Sequence, residues 1–443
     1  MKLITLLLNK NKQKQKLIIF VLILLSPDII RYSSLHTNKD KYNNLIKVAF
    51  YCDKIKYGGV ERVVALLINF LSNENNFSLY LITNKGLLEG EYIIPNNTKR
   101  IFLYDNKRNL IRAIRIHKID ILIYNTYVRK EIKKLNKLKN TKIIYYNHSS
   151  FLYWIYNKIY NFEKSIYYIY RNCNYVISLI PLENDYLFKQ WGINSILMDN
   201  PTTFNYDLIT PSDLSQKIII MVGRAEDPIK RYDIGIKAMS NIIKEIPESE
   251  MKIISESNEK YQNLINSLFL EKKVKFIGFQ KNIDVYLKNA SLHILPSLSE
   301  AYPMILGETK IFGIPSILCG LDYLALAKEG TIIIYDDNPY TIAKEAIHIL
   351  KDDEFRKKLG NAARKSMERH KNNLVVKKWV KLLLAVYKGN IETFRQLQNS
   401  DLYNHLSQED AENILFNQLG LLKKRIPQLS KITLEQLKSY SLN

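Results

Sequence analysis

The sequence predicts an α/β protein of two Rossmann-like domains facing each other across a cleft, with an extra N-terminal segment and a helical C-terminal tail. Three observations carry that prediction. Short, almost wholly apolar runs alternate with amphipathic stretches, the pattern of a parallel, doubly wound sheet. The alternation stops at "MDNPTTFNYDLITPSD" (198–213), where two prolines and several turn formers read as an interdomain linker, and then restarts. The chain, at 443 residues, is too long for one ordinary core.

From Leu45, "LIKVAFYC" (45–52) reads as a buried strand. "GGVERVVALLINFLS" (58–72) follows as a helix with Val60, Val63, Val64, Leu67 and Leu71 on one face. Further strands are expected at 79–83, 100–104, 120–125, 142–147 and 175–180. "FLYWIYNKIYNFEKSIYYIY" (151–170) reads as one long helix whose aromatics pack rather than bind a cofactor. Beyond the linker, strands are expected at 217–223, 251–255, 274–278, 292–296, 315–319 and 331–335, with helices over 232–246 and 258–270. A helical stretch from Asp352 to about Lys388 closes the second half and crosses back to the first. The expected organisation is an extension (1–44), two Rossmann-like domains (45–205 and 206–389), and a tail (390–443) of amphipathic helices with no chemical signature.

Hydrophobic residues make up 47% of the chain, which excludes a disordered protein. Lys and Arg number 65 against 43 Asp and Glu, a net charge of +22. Such a surplus suits a phosphate-bearing substrate, an anionic membrane face or a nucleic acid. It also has a bland source, because Lys, Asn, Ile and Tyr are all abundant, as an AT-rich coding sequence produces. No arginine-rich run or nucleic-acid motif is present, so no nucleic-acid partner is expected. Cys52, Cys173 and Cys319 are far apart and form no C-x-x-C pair. That argues against a disulfide framework and a structural zinc site, and fits a reducing cytosol.

Lys10, Lys12, Lys14 and Lys16 precede the apolar run "LIIFVLILL" (17–25). The pair resembles a signal peptide or anchor. As a helix, nine residues rise only about 14 Å, short of a bilayer core. An extra buried strand or a misassigned start reads the same run equally well.

In open α/β sheets, ligands gather at the carboxyl ends of strands. Four segments meet that condition. In "IIIMVGRAEDPIKRYDIGIKAM" (218–239), Arg224 and Lys230 lie in the loop over a strand end, where two cations and a helix N-terminus suit a pyrophosphate. A solvated loop would also carry such residues. In "LPSLSEAYPMILGETKIFGIP" (295–315), Glu300 projects from a strand end and Glu308 lies eight positions on, inside a helix. Glu300 could merely cap that helix. Glu308 is too deep for capping and is surrounded by Ile305, Leu306, Ile311 and Phe312, so it needs partners, and sugar hydroxyls are natural ones. In "YGGVER" (57–62), Gly58-Gly59 lets backbone amides approach an anion or sugar, or simply makes a tight turn. Because it is not G-x-G-x-x-G, a nicotinamide dinucleotide is disfavoured. In "IIYYNHSS" (143–150), His148 sits at a strand end, as a packed residue or a ligand contact.

These pieces, in this order, resemble the family-4 glycosyltransferases, with their two-Rossmann GT-B architecture. The matching segments include "YGGVERVVALL", "NHSS", Asn200-Pro201, "VGRAEDPIKRYDIGIKAM" and "FIGFQKNIDVYLKNASLHILPSLSEAYPMILGETKIFGIPSI", spanning roughly residues 45–388. The resemblance implies retaining transfer of a sugar from a nucleotide donor without a metal or other cofactor. It implies that Arg224 and Lys230 bind the donor diphosphate and stabilise its departing charge. Glu308 would then bind ribose hydroxyls, and Glu300 hydroxyls of the transferred sugar. Gly59 would offer an amide to donor or acceptor, Ala301 and Tyr302 would contact the donor, and His148 would face the sugar from the first domain. Glu300, Arg224, Lys230 and His148 are thus the catalytic candidates. The nucleotide sits in the second domain and the acceptor against the first. One departure is the loop "SESNE" (255–259), where the family has a G-x-G-type turn near the base. The donor expected is a UDP- or GDP-sugar and the acceptor a glycan or lipid-linked molecule, in cell-surface polysaccharide or glycolipid synthesis. The expected location is the cytoplasm, at the inner face of the membrane, with peripheral contact to anionic lipid through residues 1–30. The alternative is a non-catalytic nucleotide-sugar-binding scaffold on the same fold.

Overall fold

A computed structural model describes residues 45–106, 108–156, 160–398 and 406–438. The N-terminal extension, with its apolar run and expected membrane contact, lies outside the described residues. Among those described, no helix is long and apolar enough to cross a membrane.

Two all-parallel sheets organise the chain. The first joins β1 (Ile46–Cys52), β2 (Phe77–Thr83), β3 (Lys99–Phe102), β4 (Ile121–Tyr124), β5 (Lys142–Tyr146), β6 (Tyr175–Ser178) and β7 (Ser195–Leu197) in the order β3-β2-β1-β4-β5-β6-β7. The second joins β8 (Ile218–Val222), β9 (Glu250–Ile254), β10 (Val274–Phe276), β11 (Ala290–Leu295), β12 (Ser316–Cys319) and β13 (Thr331–Ile334) in the order β10-β9-β8-β11-β12-β13. The strands are continuous apolar runs because helices cover both faces, and β4, β11 and β12 are buried at every position. In each sheet the strand order reverses beside the first strand, so β1 meets β4 and β8 meets β11 in parallel register. A crevice opens at the carboxyl end of such a switch point. This is the GT-B architecture.

Three features differ from the expectations. The edge strand β7 is unforeseen, because "SIL" is too short to show a pattern. The single helix expected over 151–170 is two, Phe151–Tyr156 and Tyr160–Asn172. They serve different neighbours: Phe151 meets Tyr323 of the second lobe, while Tyr170 packs on Tyr145 and Phe188 of the first. The segment 198–213 is no loose linker at its start, since Met198 through Thr202 are buried.

Helix Asn372–Lys388 explains that burial. It returns to the first lobe and packs on helix Gly59–Leu71 and β4. Lys378 and His370 both pair with the Asp199 carboxylate, at 2.8 and 3.1 Å. Asn372 accepts from the Thr202 amide at 2.8 Å and donates to the Thr202 carbonyl at 3.0 Å. The tail also takes a defined place. Helix Gln408–Arg425 lies against both lobes through contacts with Gly320 and Asp337 of the second and Tyr156 and Tyr186 of the first.

Candidate functional site

The carboxyl end of β8 runs into Gly223 and Arg224, and a short 3-10 turn, Pro228–Lys230, ends the loop. Asp227 caps that turn by accepting from the Ile229 amide at 3.1 Å. The loop 255–259 braces the same segment: Ser255 Oγ accepts from the Ala225 amide at 2.9 Å, and Asn258 donates to the Ala225 carbonyl at 3.3 Å. Where a glycine turn was the family expectation, side chains here tie two loops together.

Lys230 Nζ reaches Glu300 at 2.6 Å, with both side chains largely buried. Glu300 is held by its backbone as well. The Tyr323 hydroxyl accepts from the Glu300 amide and donates to its carbonyl, each at 3.1 Å. The pair stands at the carboxyl ends of β8 and β11, ahead of helix Met304–Ile311, whose positive end favours an anion.

Arg224 is not brought to either carboxylate. Its guanidinium is 67% exposed, with Asp227 at 3.8 Å. Across the cleft, burial raises the Glu61 carboxyl against the opposing pull of Lys54 and Arg224. Arg224 thus has Asp227 of its own lobe for a neighbour and pairs with neither Glu300 nor Glu308.

Glu308 is 1% exposed, and Arg62 from helix Gly59–Leu71 pairs with its Oε1 across the lobes. Its Oε2 makes no hydrogen bond. Burial raises this carboxyl above the ordinary glutamate range, and Arg62 opposes the rise. The partner demanded by so buried an acid is thus a residue that sequence reasoning missed. The available signal was Arg62 itself, the one cation of a largely apolar helix, near its start.

Gly58 adopts φ +122°, which only glycine takes readily, and opens helix Gly59–Leu71. A Cβ on Gly59 would meet nothing within 4 Å, so that backbone is open to a ligand. His148 Nε2 lies 2.9 Å from Asn125 Oδ1, with the ring 4.0 Å from that of Tyr146. Burial pushes its pKa down to about 3, so the neutral ring donates to Asn125. Ala301 is buried in the loop. The Tyr302 ring is turned inward, its hydroxyl 3.5 Å from His370 Nδ1, leaving only backbone for a donor to meet. A residue the sequence did not single out is Tyr232. It is 2% exposed, its hydroxyl makes no hydrogen bond, and a Cβ on Gly223 would lie 2.9 Å from that oxygen.

The lobes are closed on each other. Besides Arg62 and Glu308, Ser150 and Ser299 share a hydrogen bond at 2.5 Å, and Tyr57 meets Phe279 edge-on at 5.2 Å. A cavity of about 40 Å³, lined by Asp199, Asp322, Tyr323 and His370 among others, lies behind the Glu300 loop rather than over Lys230. Among the described residues, no group of three or more His, Cys, Asp or Glu could hold a metal ion.

Comparison with known proteins adds to this geometry. Residues 206–366 match the family described as "Glycosyl transferases group 1". An uncharacterized glycosyltransferase of Haemophilus influenzae is 22% identical over 361 residues, covering 76% of this chain and 99% of that protein. A Campylobacter jejuni α-1,4-N-acetyl-D-galactosaminyltransferase, named for an undecaprenol-diphosphate-linked acceptor, is 24% identical over 368 residues, covering 77% and 99%. Among solved structures, Anabaena HepE in complex with UDP and glucose superposes with a TM-score of 0.61 at 16% identity, covering 77% of this chain and all of that one.

Proposed function

From the premise that this chain is a glycosyltransferase of GT-B architecture, we propose that it is a retaining enzyme using a nucleotide-sugar donor. Its acceptor is a glycan or lipid-linked molecule of cell-surface polysaccharide or glycolipid synthesis. The observation that carries this reading is the Lys230–Glu300 pair at the switch point of the second sheet, held at 2.6 Å. The chemistry needs the bond from the anomeric carbon to the diphosphate oxygen to break, the oxygen keeping the electron pair, while an acceptor hydroxyl oxygen bonds to that carbon and its proton passes to the departing diphosphate. Lys230, with Arg224 swinging in, meets that growing negative charge, and fixed cations in a closed cleft are effective at this. Glu300 accepts from hydroxyls of the transferred sugar. Glu308 exchanges Arg62 for the ribose diol, since a carboxylate accepts two hydroxyls in parallel. His148, being neutral, orients through hydrogen bonding.

UDP is the first nucleotide to try, because HepE binds it. The Campylobacter relative supports a lipid-linked acceptor. We place the enzyme at the cytoplasmic face of the membrane, touching anionic lipid from outside the bilayer, with no cofactor beyond the donor. A panel of UDP-, GDP- and ADP-sugars tests the proposal by thermal shift and by transfer to lipid-linked acceptors. A binding donor raises apparent stability by mass action. Failure of every donor to bind would overturn the site. Binding without transfer or hydrolysis would favour the scaffold reading.

A further inference from the structure

The tail reaches the site through two chains of side-chain contacts. Arg425 is 4% exposed at its side chain although it belongs to the last turn of helix Gln408–Arg425. It grips Asp337 with two donors, Nε to Oδ2 at 3.0 Å and Nη2 to Oδ1 at 2.7 Å. Its third donor goes to the Tyr156 hydroxyl of the first lobe, at 3.0 Å. Asp337 Oδ1 also takes Arg231 Nη1 at 2.6 Å. Arg231 in turn donates from Nε to the Pro296 carbonyl at 2.7 Å, at the start of the loop that carries Glu300.

Arg231 follows Lys230 directly and holds φ +48°, ψ +48°. A residue other than glycine is strained there, and persists when its surroundings over-determine it. Asp337 and Pro296 supply that determination. The second chain starts at Gln418, fully buried, which donates to the Gly320 carbonyl at 2.8 Å and to Asp322 Oδ1 at 2.6 Å. Asp322 precedes Tyr323, whose hydroxyl holds both backbone atoms of Glu300. Gly320 itself has φ +63°, and a Cβ there would stand 2.3 Å from Leu421 of the tail helix.

We propose that helix Gln408–Arg425 is an intramolecular brace for the donor site, in which Arg425 and Gln418 are positioning residues that set the mutual geometry of Lys230 and Glu300. The tail as a whole, the brace and the short helix Leu434–Lys438 after it, also holds the first lobe. The Tyr186 hydroxyl donates to Glu412 at 2.9 Å, and Trp191 Nε1 donates to the Lys438 carbonyl at 2.6 Å. The lobes also meet away from the tail, where Tyr57 packs edge-on against Phe279. The catalytic meaning of the brace rests on the proposed roles of Lys230 and Glu300, but its mechanical part does not.

The test uses the full chain with Arg425→Gln, Arg425→Lys and Gln418→Leu, each checked for native circular dichroism. Hydrogen–deuterium exchange is read on peptides covering 229–231 and 296–303, with β9 and β10 as the internal control. Loss of the brace should speed exchange in those loops at least about tenfold while the control stays unchanged. Arg425→Lys, which keeps the charge and loses the two-pronged grip, should fall between. Arg231→Gly should make the loops insensitive to Arg425→Gln, because the link between them is gone. Unchanged loop exchange in Arg425→Gln, or acceleration spread evenly over the molecule, would overturn the brace. With whichever sugar nucleotide the wild type turns over, kcat should fall about tenfold in Arg425→Gln with KM within about threefold. The reverse split would reject the positioning role. If the wild type turns over none, the functional reading fails while the exchange result still decides the brace.

Discussion

Arg224 and Lys230 were equivalent in sequence, and their surroundings make them different. Both changes to alanine should lower transfer by roughly 10- to 100-fold, each removing charge-assisted contacts to the donor. Arg224→Ala should leave the melting temperature alone, because its guanidinium is mostly in water. Lys230→Ala should not, because it strands the Glu300 carboxylate in a nearly dry site, at a cost of about 1–3 kcal/mol. Thermal melts beside single-turnover rates separate the two, and equal melts would argue against a real Lys230–Glu300 pair. Lys310 offers a test by pH. It is fully buried in helix Met304–Ile311, with Nζ 3.3 Å from Ser366 Oγ, and burial lowers its pKa to about 7. Below that value the folded state carries a buried charge; above it the unfolded chain binds more protons, so stability rises with pH between about 7 and the ordinary lysine value. Lys310→Met should melt several degrees higher at about pH 7 and lose most of that advantage near about pH 10.

At the scale of elements, the crossing from first to second lobe is stiffened by helix Asn372–Lys388. Asp199 is the joint, a buried carboxylate held well below the usual range, despite its desolvation, by His370 and Lys378. A depressed carboxyl stabilises above its ordinary pKa and loses that contribution as pH falls below it, so acid should loosen this joint. Asp199→Asn should cost about 3–5 kcal/mol, since it removes the buried carboxylate charge that both Lys378 and His370 pair with. Denaturant unfolding is the measurement, and a loss below about 1 kcal/mol would mean the pair is compensated by water.

For the whole molecule, the Arg62–Glu308, Ser150–Ser299 and Tyr57–Phe279 contacts tie the two lobes together. Arg62→Ala combined with Phe279→Ala removes two of those ties. The ligand-free variant should show a larger radius of gyration by solution scattering, shrinking when the donor is added. A radius equal to the wild type would assign closure to the tail and crossing helices alone. A second prediction concerns the extension. A chain beginning at Asn43 should keep its transfer activity and leave the membrane fraction, whereas the full chain should partition with anionic vesicles. Full-length protein that ignores such vesicles would remove the membrane proposal.

Strand composition and motif spacing were enough to determine both sheets apart from the short edge strand β7, and to mark Lys230, Glu300, Gly59 and His148 as groups at strand or helix ends, with Glu308 inside a helix. That is legible because apolar runs and strand-end positions are local properties, readable within a few residues. The partners were not. Arg62 is 246 positions from Glu308, Tyr323 is 23 from Glu300, and Arg425 is 88 from Asp337. Which side chain fills a given vacancy depends on how two separately built sheets meet, and packing at that seam decides it. For the same reason the tail looked featureless: its meaning lies in the surfaces it joins, which exist only after both lobes have folded.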